Sequence, residues 1–217
     1  MTLPFADRAE AGRLLGQRLA REDLPRPLVV LALPRGGVPV GAEVARVLGA
    51  PMDLLLVRKI GAPRQPELAV GAVADGEVPQ IVVDDESLAA SGVDHAYVER
   101  EAAAQWPEIL RRRQVYQGGR ASASLAGATA ILVDDGIATG TTVRAALLVL
   151  RHRAAQRVVL AVPVAPPESL AMLRPLCDHI VCLAQPRPFR AVGLHYRDFH
   201  QVSDAEVLAA LDAAGPR

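Results

Sequence analysis

Apolar residues recur at helical spacing in some stretches of the chain and run unbroken in others, and the alternation predicts helices and buried strands in turn. From Ala6 to Ala20, positions Ala11, Leu14, Leu15 and Leu19 form a helical stripe, which Asp23-Leu24-Pro25-Arg26-Pro27 ends. The run Leu28-Val29-Val30-Leu31-Ala32-Leu33 reads as a strand buried on both faces. A helix from about Val38 to Leu48 and a second strand from Met52 to Val57 complete a βαβ unit. Leu68 to Ala74 and Pro79 to Val83 flank the turn pair Asp75-Gly76 and read as a hairpin. A long helix is expected from about Asp94 to Tyr116, bent or split by Pro107, and Gly118 to Gly127 reads as a linker. Thr129 to Val133 is a buried strand that leads into a helix from Val143, and further strands are expected at Arg157 to Pro163 and His179 to Leu183. The order predicts an α/β fold with a doubly wound, mainly parallel sheet.

Composition narrows the chemistry. At 217 residues and 51% hydrophobic, the chain can bury one sizeable core. Lys plus Arg and Asp plus Glu both count 24, so no overall polycation points to nucleic acid. Met1 to Phe5 carries no signal-peptide pattern and no long apolar span follows, so no membrane association and a reduced, cytoplasmic setting are expected. Cys177 and Cys182 are then buried structural thiols. The histidines 95, 152, 179, 195 and 200 have no metal-like spacing, and Arg111-Arg112-Arg113, beside Glu101 and Glu108, reads as a solvated helix face.

The most informative stretch follows Val133. Asp134 and Asp135 stand at the carboxyl end of a buried strand, and Gly136-Ile137-Ala138-Thr139-Gly140-Thr141-Thr142 then offers unhindered N–H groups and hydroxyls before a helix. A small-residue loop at a helix N-terminus favours an anion. Two carboxylates would repel a lone phosphate, so the ligand must also present hydroxyls or a metal ion, as a phosphorylated ribose does. The stretch resembles the phosphoribosyl-pyrophosphate (PRPP) motif of the type I phosphoribosyltransferases. Pro34-Arg35-Gly36-Gly37 is a second anion loop at a strand end, where the glycines let the backbone form a nest and Arg35 adds a charge-assisted donor. Arg58 and Lys59 form a basic pair where the next strand ends, suited to a departing pyrophosphate.

The resemblance spans about Leu28 to Leu183 and is strongest to a bacterial group of phosphoribosyltransferases of undefined acceptor, through Pro34-Arg35-Gly36-Gly37, Arg58-Lys59-Ile60-Gly61, Asp134-Asp135-Gly136 and Tyr196-Arg197-Asp198-Phe199. It implies PRPP as donor, Mg2+ held mainly by the substrate with no protein ligand, inversion at ribose C1, a small nitrogenous acceptor and release of pyrophosphate. Arg35, Lys59, Asp134 and Asp135 are the implied catalytic residues. Arg35, Gly36, Gly37, Arg58, Lys59 and the whole stretch from Asp134 to Thr142 are implied to bind PRPP. The family's mobile hairpin maps to Gly61 through Asp84, and dimers are the usual expectation for such folds. The implied organisation is an N-terminal helix and linker (1–27), a PRPP-binding core (28–183) carrying a helical hood insertion (94–120), and a C-terminal cap or hood segment (184–217). The aromatics from Phe189 to Phe199 serve there either as a stacking wall for a base or as ordinary cap packing.

Two positions depart from the family pattern. The residue after the second acid is usually larger and apolar; Gly136 should loosen the loop. Purine-using members often carry an acid where this chain has Ala138, so a 6-oxopurine acceptor is disfavoured. Two other classes stay open: a non-catalytic PRPP- or nucleotide-binding sensor on the same fold, and an unrelated phosphate-binding α/β protein, for which the Arg35 and Asp134 loops would lie far apart.

Overall fold

The computed structural model describes residues 3–75, 79–118, 122–153 and 155–214. The first half runs α1 (Arg8–Leu19), β1 (Leu28–Ala32), α2 (Gly37–Leu48), β2 (Met52–Leu54), β3 (Val57–Ala62), β4 (Gln65–Ala74) and β5 (Gln80–Val83). Then come α3 (Asp85–Ser91), α4 (His95–Gln117), β6 (Thr129–Val133), α5 (Thr141–His152) and β7 (Arg157–Val164). The chain closes with α6 (Pro167–Leu173), β8 (His179–Ala184) and α7 (Asp204–Ala213).

Five strands pair in parallel in the order β2-β1-β6-β7-β8, the doubly wound sheet that the sequence predicts. Its apolar runs are unbroken because successive residues serve opposite faces. Val30, Ala32, Ile131 and Val133 pack with Val38, Val40 and Val44 of α2 and Leu15 and Leu19 of α1. Val29, Leu31, Ala130 and Leu132 pack with Val143, Ala146, Leu147 and Leu150 of α5. The helix α1 lies close on α2 because Gly12 and Gly16 give it a flat face: a Cβ at Gly12 would fall 2.5 Å from the Val40 carbonyl oxygen.

Three expectations need correction. The strand expected from Met52 to Val57 ends at Leu54, where buried Leu55 and Leu56 carry the chain into a second, antiparallel sheet, β3-β4-β5. The β4–β5 hairpin is present, with Ala74 opposite Gln80, although Gly76 of its turn pair lies outside the described residues, as do residues 119–121 of the linker. The strand β3 was not predicted, because charged Arg58 and Lys59 interrupt its apolar pattern. The helix α4 is not split by Pro107. Proline costs a helix interior roughly 3 kcal/mol, and Val98, Ala102, Ile109 and Tyr116 offset it by burying one face of α4 in the core. That face lies over the small sheet, while α5 packs on the same sheet as well as on β7.

The short helices α3 and α6 were also unpredicted. The first is capped by the Asp84 carboxylate, which accepts from the Ser87 N–H. Cys177 and Cys182 are free and half-buried, donate to the carbonyls of Leu173 and Ala184, and burial pushes both thiols up to about 11. Among the described residues no helix is long and apolar enough to cross a membrane.

Candidate active site

The connections from β1 and β6 leave in opposite directions: β1 leads through α2 to β2 on one side, and β6 leads through α5 to β7 on the other. Such a switch opens a crevice at the carboxyl ends of the two strands. Ala32 and Val133 are register partners at those ends, so the Arg35 and Asp134 loops emerge side by side. They touch. The Leu33 N–H donates to the Val133 carbonyl at 3.0 Å. A Cβ on Gly36 would collide with Asp135 Oδ2 and stand 2.7 Å from its Cγ, and one on Gly37 would meet the Val133 carbonyl oxygen at 2.8 Å. This contact excludes the arrangement with the two loops far apart.

The glycines serve a purpose other than the one read from sequence. Gly36 has an ordinary φ of −58° and the Gly37 N–H already donates to the Leu33 carbonyl at 3.0 Å, so the pair makes no left-handed nest. They are glycines because the Asp135 carboxylate occupies the space of a side chain at Gly36, and the Val133–Asp134 backbone occupies it at Gly37. The Pro34–Arg35 peptide is cis.

Both acids sit in a desolvated pocket. Asp134 Oδ1 accepts from the Asp135 N–H at 2.9 Å. Burial pushes the Asp134 carboxyl well above the usual carboxylate range, and the neighbouring Asp135 charge pushes it further. Burial raises Asp135 as well, opposed by Arg8, whose Nε lies 2.8 Å from Asp135 Oδ2. The Tyr196 hydroxyl donates to the Asp135 carbonyl at 2.5 Å. Sequence reasoning missed Arg8 and Tyr196 as partners of this acid.

Beyond the acids, the loop is anchored before it opens. The Ile137 side chain is buried, its N–H donates to the Val164 carbonyl at 2.9 Å, and the Ala138 carbonyl accepts from the Ser169 hydroxyl at 2.7 Å. Ala138, Thr139 and Thr142 are exposed, and the Thr139 and Thr141 hydroxyls lie 3.1 Å apart. Gly140, with φ +82°, needs the freedom of glycine to start α5, which has no side-chain cap. An uncapped first turn presents its N–H groups to an anion.

The cations divide. Arg35 Nη1 stands 3.6 Å from Asp204 Oδ1 at the start of α7, and that carboxylate accepts from the Tyr116 hydroxyl at 2.6 Å. Burial and this bond push the Tyr116 hydroxyl up to about 12. Arg58 Nε donates to Gln105 Oε1 of α4 at 2.9 Å, and Arg58 shares with Pro34 and Thr142 the lining of a cavity of about 30 Å3. Lys59 follows Arg58 on β3 and so lies on the opposite face, towards α5. Arg111 and Arg112 both pair with Glu108, but of the three arginines expected on a solvated face only Arg111 is exposed, while Arg112 and Arg113 are half-buried.

Gly136 does not loosen the loop. It is buried, and a Cβ there would meet Val192 Cγ1 at 2.6 Å and Val164 Cγ1 at 2.9 Å, so side chains from elsewhere occupy the space. Val192 belongs to the C-terminal segment, whose Phe189, Tyr196 and Phe199 pack with Phe5. Gly136→Val is expected to destabilise the fold by about 1 to 3 kcal/mol through overpacking, and Val192→Ala in the same chain should recover part of the loss. Chemical denaturation of the single and double variants measures this; unchanged stability in Gly136→Val would show that the contact yields freely.

Among the described residues no group of three or more His, Cys, Asp or Glu side chains forms a metal site. Residues 8–196 match the phosphoribosyl transferase domain family. A Mycobacterium tuberculosis H37Rv protein named "Putative phosphoribosyl transferase Rv0571c" is 48% identical over 210 residues, which cover 97% of this chain and 47% of that protein. The chain therefore spans about half the length of the curated relatives it matches. The crystal structure of TT1426 from Thermus thermophilus is similar at TM-score 0.89 and 45% identity, covering 96% of this chain and 98% of that one.

Proposed function

Because the chain belongs to the phosphoribosyl transferase domain family, we propose that it transfers the 5-phosphoribosyl group of PRPP, taken up as its Mg2+ chelate, to a small nitrogenous acceptor. The observation that carries this reading is the meeting of two anion loops and two carboxylates at one switch point, with Asp135 packed against Gly36. A diphosphorylated sugar has the matching parts. The uncapped start of α5 with Thr139, Thr141 and Thr142 receives the 5′-phosphate, and Asp134 and Asp135 accept the ribose hydroxyls. The pyrophosphate lies along the Arg35-Gly36-Gly37 loop. Arg35 meets it by leaving Asp204, a partly exposed pair at 3.6 Å that holds weakly.

In the reaction the acceptor nitrogen forms a bond to ribose C1 while the bond from C1 to the pyrophosphate oxygen breaks. Arg35 and Lys59 stabilise the departing charge, Lys59 reaching it from the α5 side and Arg58 lining the approach. Mg2+ brought in with the substrate would neutralise charge on the departing pyrophosphate, without a ligand from the protein. The small antiparallel sheet of β3, β4 and β5 stands beside the crevice and limits water, the competing nucleophile. A cytoplasmic setting suits the two free thiols.

The test is pyrophosphate release from PRPP and Mg2+ across nucleobases and small amines, run beside Asp135→Asn. Turnover with at least one acceptor is expected. Hypoxanthine and guanine should be poor, because exposed Ala138 cannot exchange a proton with a purine ring nitrogen. Tight PRPP binding without turnover on any acceptor would establish the sensor reading instead, and brisk turnover with hypoxanthine would refute the inference from Ala138.

A further inference from the structure

The charge that faces the second acid comes from the far end of the chain. Arg8 opens α1, yet its side chain is only 8% exposed. Three contacts fix it: Nε on Asp135 Oδ2 at 2.8 Å, Nη1 donating to the His200 carbonyl at 2.8 Å, and the guanidinium carbon 3.9 Å above the Phe199 ring. An arginine that served α1 alone would lie in solvent. This one is turned inward, past the C-terminal segment, onto a carboxylate that also fills the space beside Gly36.

We propose that Arg8 is a positioning residue that acts through Asp135, pinning its carboxylate between the two loops in the anionic form that accepts a ribose hydroxyl. The role rests on the phosphoribosyl-transfer reading for its purpose, though not for its geometry. The groups facing Asp135 are few. Asp134, on the same strand end, repels it; Arg8, from α1, attracts it; Tyr196, from the C-terminal segment, donates to its carbonyl and is held protonated by burial. Asp198 and His200 lie farther out, where His200 bridges Asp198 and Glu206. Without Arg8, only a backbone N–H is left to oppose the desolvation of Asp135. The carboxyl would then bind a proton at higher pH and stop accepting.

Two measurements on the full chain test this. In the first, aspartate labelled at the carboxyl carbon is titrated by NMR without ligand, with Asp135 assigned from the Asp135→Asn spectrum. Arg8→Gln is expected to move the Asp135 midpoint upward, and Arg8→Lys, which keeps the charge, to leave it nearer the native one. Arg8→Lys also serves if the glutamine variant does not fold, since a midpoint that responds to the shortened, re-aimed cation still reports the contact. In the second, ribose 5-phosphate affinity is followed against pH. Affinity should fall about tenfold per pH unit once the acid is protonated, and in Arg8→Gln this limb should begin at higher pH than in the native protein. Variants that merely melt earlier while the Asp135 midpoint and the binding limb stay in place would reduce Arg8 to a structural contact and overturn the proposal. If the native chain binds no ribose 5-phosphate at any pH, the functional reading fails, and the NMR midpoints alone still decide for or against Arg8.

Discussion

Asp134→Asn and Asp135→Asn are each expected to weaken PRPP and ribose 5-phosphate binding by about 1.5 to 3 kcal/mol, roughly 10- to 150-fold in Kd, by removing a charge-assisted bond to a ribose hydroxyl. The two variants should part in stability. Asp134 is raised by burial and by its neighbour's charge, so ionising it costs folding energy. The sign follows from linkage: the deficit is absent below the ordinary carboxylate range and grows as pH rises through the raised folded value. At neutral pH, Asp134→Asn lacks that deficit and keeps an oxygen for the Asp135 N–H, so it should be at least as stable as the native chain. Asp135→Asn leaves Arg8 buried without its counter-charge and should lose about 1 to 3 kcal/mol. Calorimetry and chemical denaturation of each variant read the two effects separately. Native affinity in a folded double variant would end the ribose-holding role of the acids.

What the sequence shows of this architecture depends on how local each signal is. The strands β1 and β6 are legible because a strand buried on both faces must be apolar throughout, and a loop of small residues after each marks the anion sites. The strand β3 is not. It carries Arg58 and Lys59 on opposite faces of a small sheet, so neither face shows alternation. The helices α3 and α6 span seven residues each, too few for a helical stripe, and Pro166-Pro167 reads as a break although proline suits a first turn. At the site, the acids and the threonine loop are visible as a contiguous run. The partners that hold them are not: Arg8 meets Asp135 across 127 residues of sequence and Arg35 meets Asp204 from the last helix. No spacing rule links such positions. Gly36, Gly37 and Gly136 mislead for a related reason, since sequence suggests backbone freedom where the fold demands only the absence of a side chain.

That distinction gives the second large effect. Gly36→Ala is expected to weaken PRPP binding by about 100-fold or more, at least 2.7 kcal/mol, while the chain still folds, losing no more stability than Asp135→Asn does. The backbone at Gly36 is helical, so alanine introduces no conformational strain there and narrows the unfolded ensemble. Its Cβ nevertheless collides with the Asp135 carboxyl, which is held by Arg8 and can step aside only by giving up that pair. Either Asp135 rotates away from Arg8 or the pyrophosphate loop moves out, and both displace a ligand-holding group. The loss should therefore exceed that of Asp135→Asn, which leaves the loop in place. Gly37→Ala should behave in the reverse order. There the Cβ would meet backbone, the Val133 carbonyl oxygen at 2.8 Å and Asp134 Cα at 2.9 Å, and a central strand does not yield. The helix α2 must back away instead, at a cost of about 1 to 3 kcal/mol or more in stability, and binding fails as a consequence. Thermal melts beside calorimetry separate the pair: native PRPP affinity in Gly36→Ala would show that the contact between the two loops is not the joint on which the site depends.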